Sequence, residues 1–487
     1  MISLTQFSLT QFSFTQFSFT QFNRTLCILP LLVAGCTAIP VTDKPAAASN
    51  MTSFVVLGEQ GQPVARVLTD AAQCPVIRLD GVDVAMDVRA PAGTVAQRTT
   101  RSAPADSKPS AFPLLTCEKI LPPHTTSASV AGRSLPLPKP ESNRIVVIGD
   151  TGCRLKKSDQ AYQPCNDAEQ YPFARIAAAA ARWQPDLVIH VGDYHYRENA
   201  CPDGNAGCAG SSWGYGWDAW REDFFQPGAP LLQAAPWVLV RGNHESCSRA
   251  GQGWWRMLDP RPLQVGRDCN DAVNDDQGDF SDAYAVPLGG DAQVIVLDTS
   301  NTTGSPIAAT DVRVAKYRAM YRQVEQLSQH ASTNIGANHQ PILGFYARKN
   351  KQGGIDVLPG NQGIQSVFGA INPLIMPPRI DTLLSGHTHL WQQVSFASAH
   401  PSQFITGFSG TMEDLVPLPD ILPADATPAP GAIVDNVSAW TGGFGYMTME
   451  RSGARQWDVR VWDTTGRQVN RCQVDGSKSR CEKARVQ

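Results

Sequence analysis

Five short polar motifs constrain the fold of this chain more than any other feature. Their side chains are carboxylates, imidazoles, an amide and a phenol, which are the groups that bind metal ions in proteins. In chain order they are Asp150-Thr151-Gly152, Gly192-Asp193-Tyr194-His195-Tyr196, Gly242-Asn243-His244-Glu245, His339-Gln340-Pro341 and Gly386-His387-Thr388-His389. Most of them directly follow an apolar run rich in β-branched residues. Because open α/β sheets place their ligands at the carboxyl ends of strands, we expect one shared site.

The alternation of strand, motif and helix from residue 144 onward predicts an α/β fold. Apolar runs and helical periodicity predict four strands (144–148, 186–191, 293–297, 382–384) and two helices (169–183, 311–331). Three later segments alternate like antiparallel strands that complete a second sheet (403–407, 444–449, 457–462). We therefore expect two packed mixed β-sheets flanked by helices, with a small N-terminal β region.

Ten cysteines follow residue 36, and they predict disulfides. Their number is even and most lie in near pairs, so the closure of short loops favours neighbours that pair in order. The expected pairs are Cys74 with Cys117, Cys153 with Cys165, Cys201 with Cys208, Cys247 with Cys269, and Cys472 with Cys481. A zinc–thiolate site is the alternative, but the sequence has no Cys-x-x-Cys spacing to support it. Such a set of cysteines indicates an oxidising compartment.

The N-terminal sequence predicts export. An apolar segment follows Arg24, is too short to span a bilayer and ends in Val33-Ala34-Gly35-Cys36, which resembles the lipobox of bacterial lipoproteins. We expect a periplasmic or cell-surface protein anchored to a bacterial membrane through lipidated Cys36. An ordinary secretory signal cut after Ala34 or Ala38 is the alternative. Four Thr-Gln-Phe units before Arg24 are low-complexity sequence to which we assign no function.

The motif residues suit the hydrolysis of phosphate esters. That reaction needs an activated water and neutralisation of the charge on the phosphoryl oxygens, and two metal ions about 3.5 to 4 Å apart provide both. Asp193 can bridge two ions through its two oxygens, and Asn243 supplies a neutral oxygen. His387 and His389, two positions apart, can each point an imidazole at a different ion. A net charge of −3 without an evident basic patch argues against nucleic acid as a partner.

The motifs resemble those of the calcineurin-like metallophosphoesterase superfamily and, within it, the purple acid phosphatases. Tyr196 carries the second resemblance, because Gly-Asp-x-x-Tyr is similar to the purple acid phosphatase pattern where many relatives have histidine last. The resemblance covers residues 144–462. It implies a ferric ion and a divalent ion (Fe²⁺, Zn²⁺ or Mn²⁺) that share one carboxylate. The implied ligands are Asp150, Asp193, Tyr196 and His389 for the ferric ion, and Asp193, Asn243, His339 and His387 for the divalent ion.

The resemblance also bears on three further positions. It implies that His244 contacts substrate oxygens or protonates the leaving group. The family pattern Val-x-x-His would put valine at Gly336, yet His339 keeps the family's His-x-Pro ending, and His330 is the alternative ligand. His195 is either a second catalytic residue that acts as an acid beside the ligands, or a solvent-facing neighbour of them.

These observations predict an exported di-metal phosphoesterase. The expected organisation is an export segment (1–36), a tether (37–50), a small β region with a linker (51–140), the metallophosphoesterase domain (141–470) and a tail (471–487). The expected reaction is the hydrolysis of small phosphate monoesters outside the cytoplasm, with a metal-bound hydroxide attacking phosphorus. A phosphodiesterase or nucleotidase that uses the same site is one alternative, and a non-catalytic surface binding protein is the other.

Overall fold

Two large β-sheets, of eleven and seven strands, dominate the computed structural model, which describes residues 51–412 and 416–483. The predictions about the export segment, Cys36 and the tether lie outside these residues. In spatial order the larger sheet contains Lys478–Cys481, Gln468–Asp475, Gln456–Asp463, Gly445–Gly453, Arg144–Ile148, Leu187–His190, Trp237–Leu239, Met51–Leu57, Pro63–Thr69, Leu115–Ile120 and Asp87–Ala90. The smaller contains Tyr284–Gly289, Ala292–Val296, Thr333–Ala337, Thr382–Ser385, Ser402–Thr406, Trp391–Phe396 and Val434–Trp440.

Short sheets and helices complete the described part of the chain. A four-stranded sheet contains Arg133–Ser134, Ala128–Val130, Val76–Leu79 and Val82–Ala85. The two-stranded sheets pair Leu155–Lys156 with Ala161–Tyr162, Tyr346–Lys349 with Ile355–Leu358, and Gly93–Val95 with Ser110–Phe112. The α-helices are Phe173–Arg182, Trp217–Trp220, Ala229–Leu232, Gly251–Gly253, Asp275–Gly278, Val312–Leu327 and Gln362–Phe368. None of the described helices combines the length and apolarity that a membrane span requires.

The two large sheets pack face to face, and alternation along each strand decides which residues lie between them. Ile145 and Val147 belong to a core shared with residues of the smaller sheet such as Val294. The intervening residues Val146 and Ile148 pack on the opposite face, in the same cluster as helix residues such as Phe173. A third apolar cluster packs the helix Val312–Leu327 on the outer face of the smaller sheet. The predicted class of two packed sheets flanked by helices is therefore confirmed.

The predicted helix boundaries differ from the observed ones at their ends. The helix expected at 169–183 begins at Phe173, with Pro172 as its cap, because the residue before a proline is disfavoured in the helical conformation. The helix expected at 311–331 spans Val312–Leu327. The Asp311 side chain caps it by accepting the backbone N–H of Arg313 at 2.9 Å, and a 3₁₀ turn follows its last residue.

The prediction that three late strands complete one second sheet is wrong. Ser402–Thr406 pairs with Thr382–Ser385 in the seven-stranded sheet. Gly445–Gly453 pairs instead with Arg144–Ile148 in the eleven-stranded sheet, and Gln456–Asp463 follows it there. Alternating apolar residues identify a strand and its buried face, but they do not identify its partner.

Strands from both ends of the described chain extend the eleven-stranded sheet. Met51–Leu57 pairs in parallel with Trp237–Leu239 and antiparallel with Pro63–Thr69. At the far edge, Gln468–Asp475 and Lys478–Cys481 form the last two strands. The domain boundaries drawn from the sequence at 141 and 470 stay a prediction, and the sheet runs across both of them.

The five disulfides predicted from the order of the cysteines are all present. The pairs close loops of 7 to 43 residues, and the longest, Cys74–Cys117, ties the four-stranded sheet region to the edge of the main sheet. The presence of five disulfides fits an oxidising compartment. In the segment that follows the Cys201–Cys208 loop, Trp220 is fully buried and Trp217 packs on Phe225.

Thiol titration checks the disulfides in solution. In the unfolded mature protein with a lipidated Cys36, we expect no reactive thiol before reduction and ten after it, since five pairs contain ten cysteines. The measurement uses a chromogenic thiol reagent in denaturant, with and without reductant. Two or more reactive thiols in the unreduced sample would mean that a pair is open.

Candidate metal centre

The polar motifs meet where the carboxyl ends of two sets of parallel strands converge. In the eleven-stranded sheet, Arg144–Ile148, Leu187–His190 and Trp237–Leu239 are parallel neighbours. The loops that follow them carry Asp150, Asp193 and Asn243, respectively. In the smaller sheet, Thr333–Ala337 and Thr382–Ser385 are parallel neighbours, and the loops after them carry His339 and the His387/His389 pair. Shared strand polarity thus brings distant motifs to one edge of the sandwich.

The hydroxyl of Tyr196 lies at the centre of one group of side chains. Its Oη atom is 2.8 Å from Asp150 Oδ1, 2.9 Å from Asp193 Oδ2 and 3.0 Å from His389 Nε2. The other oxygen of Asp150 accepts the backbone N–H of His387 at 2.9 Å. The Tyr196 hydroxyl therefore contacts the other three side chains that the sequence resemblance assigned to a ferric ion.

A second group shares Asp193 with the first. His339 Nε2 lies 3.1 Å from Asp193 Oδ2 and 3.0 Å from Asn243 Oδ1. One ligand atom each of Asp193, His339 and His387 lies within 4.8 Å of the others. The structure thus brings together all seven side chains predicted as metal ligands, with Asp193 between the two groups.

Backbone carbonyls orient two of the imidazoles. His339 Nδ1 lies 2.9 Å from the carbonyl oxygen of Val191, and His389 Nδ1 lies 2.9 Å from that of Met412. An Nδ1–H that donates to a carbonyl leaves Nε2 unprotonated in the neutral ring, which is the form that binds a metal. In both residues Nε2 is the atom that faces the carboxylates.

The backbone conformation at three of these residues is unusual for side chains with a Cβ atom. Asp150, Asp193 and His387 have φ values of 55°, 59° and 69°, in the left-handed region. Such conformations cost about 1 kcal/mol or more each and persist where the surrounding structure holds them. Gly242 allows a close approach here, since a Cβ atom at this position would lie 2.0 Å from Asp193 Oδ1. Strain and close packing coincide at the ligand loops, which is typical of functional sites.

The site concentrates negative charge in a buried space. Burial opposes ionisation of Asp193, but the imidazoles of His339 and His244 outweigh it and hold the pKa of this carboxyl well below its usual value. Burial, Asp150 and Asp193 together raise the pKa of the Tyr196 phenol well above its usual value. A phenolate between two carboxylates therefore requires a compensating cation. The donor set of carboxylates, imidazoles, an amide and a phenol fits metal ions, and iron(III) suits the hard oxygen donors.

The histidines differ in charge because their surroundings differ. Burial lowers the pKa of His339, yet the Asp193 carboxylate outweighs it and raises that pKa to about 9. Burial and the neighbouring His339 lower the pKa of His387 to about 3. His387 is therefore a neutral imidazole across the physiological pH range, which is the state of a metal ligand.

Two buried carboxylates, which the sequence analysis missed, hold the loop around Asp193. Glu245 accepts backbone N–H groups of Asp193, Tyr194 and Gly242 at distances of 2.9 to 3.1 Å. Asp223 accepts the N–H groups of Tyr196 at 2.7 Å and of Cys153 at 2.9 Å. Glu245 is the last residue of the motif Gly242-Asn243-His244-Glu245, but the sequence assigns it no role. Nothing in the sequence distinguishes Asp223 from a surface acid.

Arg249 and Glu198, which the sequence did not single out, form an ion pair beside His244. The backbone N–H of His244 donates to Asp193 Oδ1 at 2.8 Å, so this residue adjoins the ligands. The Arg249 guanidinium lies 2.8 Å from its Nδ1 and 2.7 Å from its Nε2, and Glu198 bonds to Arg249 and lies 3.2 Å from Nδ1. Burial and Arg249 lower the pKa of His244 to about 3. Buried Glu198 and Arg249 therefore position this imidazole.

The sequence singled out three further positions, His195, His330 and Gly336. The solvent-facing alternative for His195 is wrong, because its side chain is fully buried. Its Nε2 atom lies 2.8 Å from the Gly214 carbonyl and its ring packs beside Tyr215 and Trp220, while its own carbonyl faces His244. His330, the alternative ligand, is an exposed residue in a 3₁₀ turn. Gly336 lies within a strand where a Cβ atom would be 2.7 Å from Leu383 Cδ2.

A polar cavity of about 850 Å³ opens beside the cluster. Asn243 and His387 form part of its wall, so the cavity reaches the second group of ligands. Its lining is mostly hydroxyl, amide and guanidinium side chains. This volume exceeds that of a phosphate group and leaves room for the rest of an ester.

The chain is similar to a known protein family and to solved structures. The family model described as calcineurin-like phosphoesterase matches residues 143–390. The structure of purple acid phosphatase PPD1 from yellow lupin (Lupinus luteus) seeds is similar at a TM-score of 0.53 and 13% identity, covering 88% of this chain and 73% of that one. A structure of PhoD has a TM-score of 0.49 and 13% identity, covering 89% and 91%. No curated protein matches the chain significantly. At such identities the lupin structure supports the fold alone.

Proposed function

Since the chain belongs to the calcineurin-like phosphoesterase family and is a phosphate ester hydrolase, we propose that it hydrolyses phosphate monoesters with two metal ions. The observation that carries this proposal is the position of Asp193 between two groups of ligand side chains. One group lies around Tyr196 Oη, and the other lies around His339 Nε2. The same carboxylate oxygen, Asp193 Oδ2, faces both groups, which suits a ligand shared by two ions.

Each ion is assigned to one of these groups. Asp150, Asp193, Tyr196 and His389 would hold a ferric ion, and Asp193, Asn243, His339 and His387 would hold a divalent ion, Fe²⁺, Zn²⁺ or Mn²⁺. Two bound ions supply an activated water and neutralise the charge on the phosphoryl oxygens. Burial, Asp150 and Asp193 oppose ionisation of the Tyr196 phenol, so a strongly charged cation such as a trivalent ion would be needed to hold it as a phenolate in the first group.

The protein's own side chains then orient the ester and its leaving group. We assign His244 to substrate oxygens, because Arg249 and Glu198 fix it beside Asp193. Its alternative role, protonation of the leaving group, requires the bound phosphate to raise the lowered pKa of this imidazole. Glu245 keeps the Asp193 loop in place through backbone N–H groups, which limits the movement of the ligands. The acid role of His195 stays a prediction, and its ring contacts Gly214 rather than any ligand side chain.

We also propose where the enzyme works. The five disulfides support a compartment outside the cytoplasm, and the lipobox that ends at Cys36 supports anchoring to a bacterial membrane there. Its substrates are then small phosphate monoesters in the periplasm or at the cell surface.

One experiment tests the proposed activity directly. We expect two metal ions per purified chain, with iron as one of them, and faster hydrolysis of 4-nitrophenyl phosphate than of bis(4-nitrophenyl) phosphate, because a monoester presents three oxygens to the ions and a diester only two. Metal content is measured by mass spectrometry and hydrolysis by nitrophenolate absorbance. Preference for the diester would identify a phosphodiesterase. A metal-loaded protein that hydrolyses neither ester would contradict the proposal.

A further inference from the structure

The cavity beside the metal centre has a cationic lining. Among the described residues that line it there are three arginines, Arg101, Arg313 and Arg348, and no aspartate or glutamate. Arg313 pairs with Asp311 at 2.7 Å, and Arg348 pairs with Asp356 at 3.2 Å. Each of these two guanidinium charges already has a carboxylate partner.

Arg101 differs from the other two arginines because no carboxylate among the described residues is bonded to its guanidinium. Its guanidinium makes no hydrogen bond or ion pair with any residue in the described ranges 51–412 and 416–483, and its side chain is exposed at the mouth of the cavity. Partial burial and the nearby Arg249 lower the pKa of Arg101 from its usual value, while the carboxylates of Glu198 and Asp279 attract its charge without bonding to it. Arg249 is already paired with Glu198, so Arg101 is the guanidinium that remains open to an anion in the cavity.

The segment that carries Arg101 is fixed to the loops of the site. The backbone N–H of Arg101 donates to the Ser248 carbonyl at 2.9 Å, next to Arg249. On either side, Arg98 donates to Asp275 at 2.9 Å, and the Asn199 amide donates to the Ser102 hydroxyl at 3.0 Å. The backbone at Arg101 is therefore held in place, and the region before residue 140 contributes its cationic side chain to the cavity.

We propose that Arg101 binds a second anionic group, a carboxylate or a phosphate, on the leaving group of the substrate. The inference rests on the proposed function, because the reacting phosphate must occupy the metal centre for the leaving group to extend into the cavity. The substrate class is then a phosphate monoester whose alcohol carries its own negative charge. A guanidinium suits both anions, since its N–H groups bind two oxygens at once.

Two matched esters test this assignment. Glycerol 3-phosphate and 3-phosphoglycerate differ in one group, a neutral hydroxymethyl in the first and a carboxylate in the second. A third ester, glycerol 1,3-bisphosphate, carries a second phosphate in place of the carboxylate. We expect the wild-type enzyme to prefer the esters with a second anion. The preference is the kcat/KM for such an ester divided by the kcat/KM for glycerol 3-phosphate, both measured by phosphate release. Arg101→Gln should lower that ratio about fivefold, mainly through KM, because a partly exposed ion pair is lost.

A control and the salt dependence separate local binding from general charge effects. Arg133→Gln removes an equally exposed arginine from the four-stranded sheet, outside the cavity lining, and should leave the ratio unchanged. Arg101→Lys should retain part of the preference, and 0.5 M salt should weaken it in the wild type. If the wild-type preference is larger for 3-phosphoglycerate, Arg101 binds a carboxylate, and if it is larger for glycerol 1,3-bisphosphate, Arg101 binds a phosphate.

The possible failures are distinguishable. If the metal-loaded wild type releases phosphate neither from 4-nitrophenyl phosphate nor from any of the three esters, the proposed function fails. If it hydrolyses 4-nitrophenyl phosphate but none of the three esters, the assignment of Arg101 is wrong and the phosphatase activity stands. If it hydrolyses the three esters with a ratio that Arg101→Gln does not change, or that Arg133→Gln changes equally, the assignment of Arg101 is wrong and the phosphatase activity stands.

Discussion

Replacement of Asp193 by alanine is expected to abolish phosphate ester hydrolysis and to lower the metal content at both positions. Its Oδ2 atom lies 2.9 Å from Tyr196 Oη and 3.1 Å from His339 Nε2, so the same carboxylate adjoins both ligand groups. Its Oδ1 atom accepts the backbone N–H of His244, which ties the loop of that residue to the ligand cluster.

The measurement combines metal analysis with turnover of a chromogenic monoester. Asp193→Asn preserves the shape of the side chain while removing its charge, and it should lose metal as well, which separates loss of the charge from loss of packing. Asp203→Ala, at an exposed loop residue, serves as the control and should retain both metals. An Asp193→Ala protein with two metals and near-native turnover would rule out the bridging role.

The second large effect is expected on the colour of the oxidised enzyme when Tyr196 is replaced by phenylalanine. If the Tyr196 phenolate binds a ferric ion, the oxidised enzyme should be visibly coloured through charge transfer from the tyrosinate to iron, and Tyr196→Phe should bleach it without unfolding the chain. The alternative is a packed tyrosine that keeps its proton, which is the favoured state without a cation because burial, Asp150 and Asp193 raise its pKa.

A neighbouring tyrosine supplies the matched control. Tyr194 is equally buried, stacks on His190 and donates its hydroxyl to the Val240 carbonyl at 3.0 Å, away from the ligands. Tyr194→Phe loses one buried hydrogen bond, at a cost of about 1 kcal/mol, and should keep the colour. Absorbance spectra with iron analysis give the readout. An iron-loaded, active protein without a visible band, or a coloured Tyr196→Phe variant, would assign the site a different metal composition.

Local patterns in the sequence were sufficient for the parts of the molecule that local physics controls. Apolar β-branched runs predicted the strands, because a strand buried on both faces must be apolar throughout. Cysteines close in sequence predicted the disulfides, because short loops close at the least entropic cost. The polar motifs predicted which side chains lie together, because residues that end adjacent parallel strands lie at one edge of a sheet.

Tertiary structure alone decided which distant segments became neighbours. The alternation at 445–463 identified strands, but only the packed structure assigned them to the sheet of Arg144–Ile148. Asp223 and Glu198 look like surface acids in the sequence, and they became buried anchors of the site because backbone N–H groups and Arg249 meet them there. Arg101, more than 140 positions before Asn243, reached the same cavity. The sequence by itself determines a residue's chemistry and its neighbours along the chain, whereas burial and long-range contacts depend on how the whole chain packs.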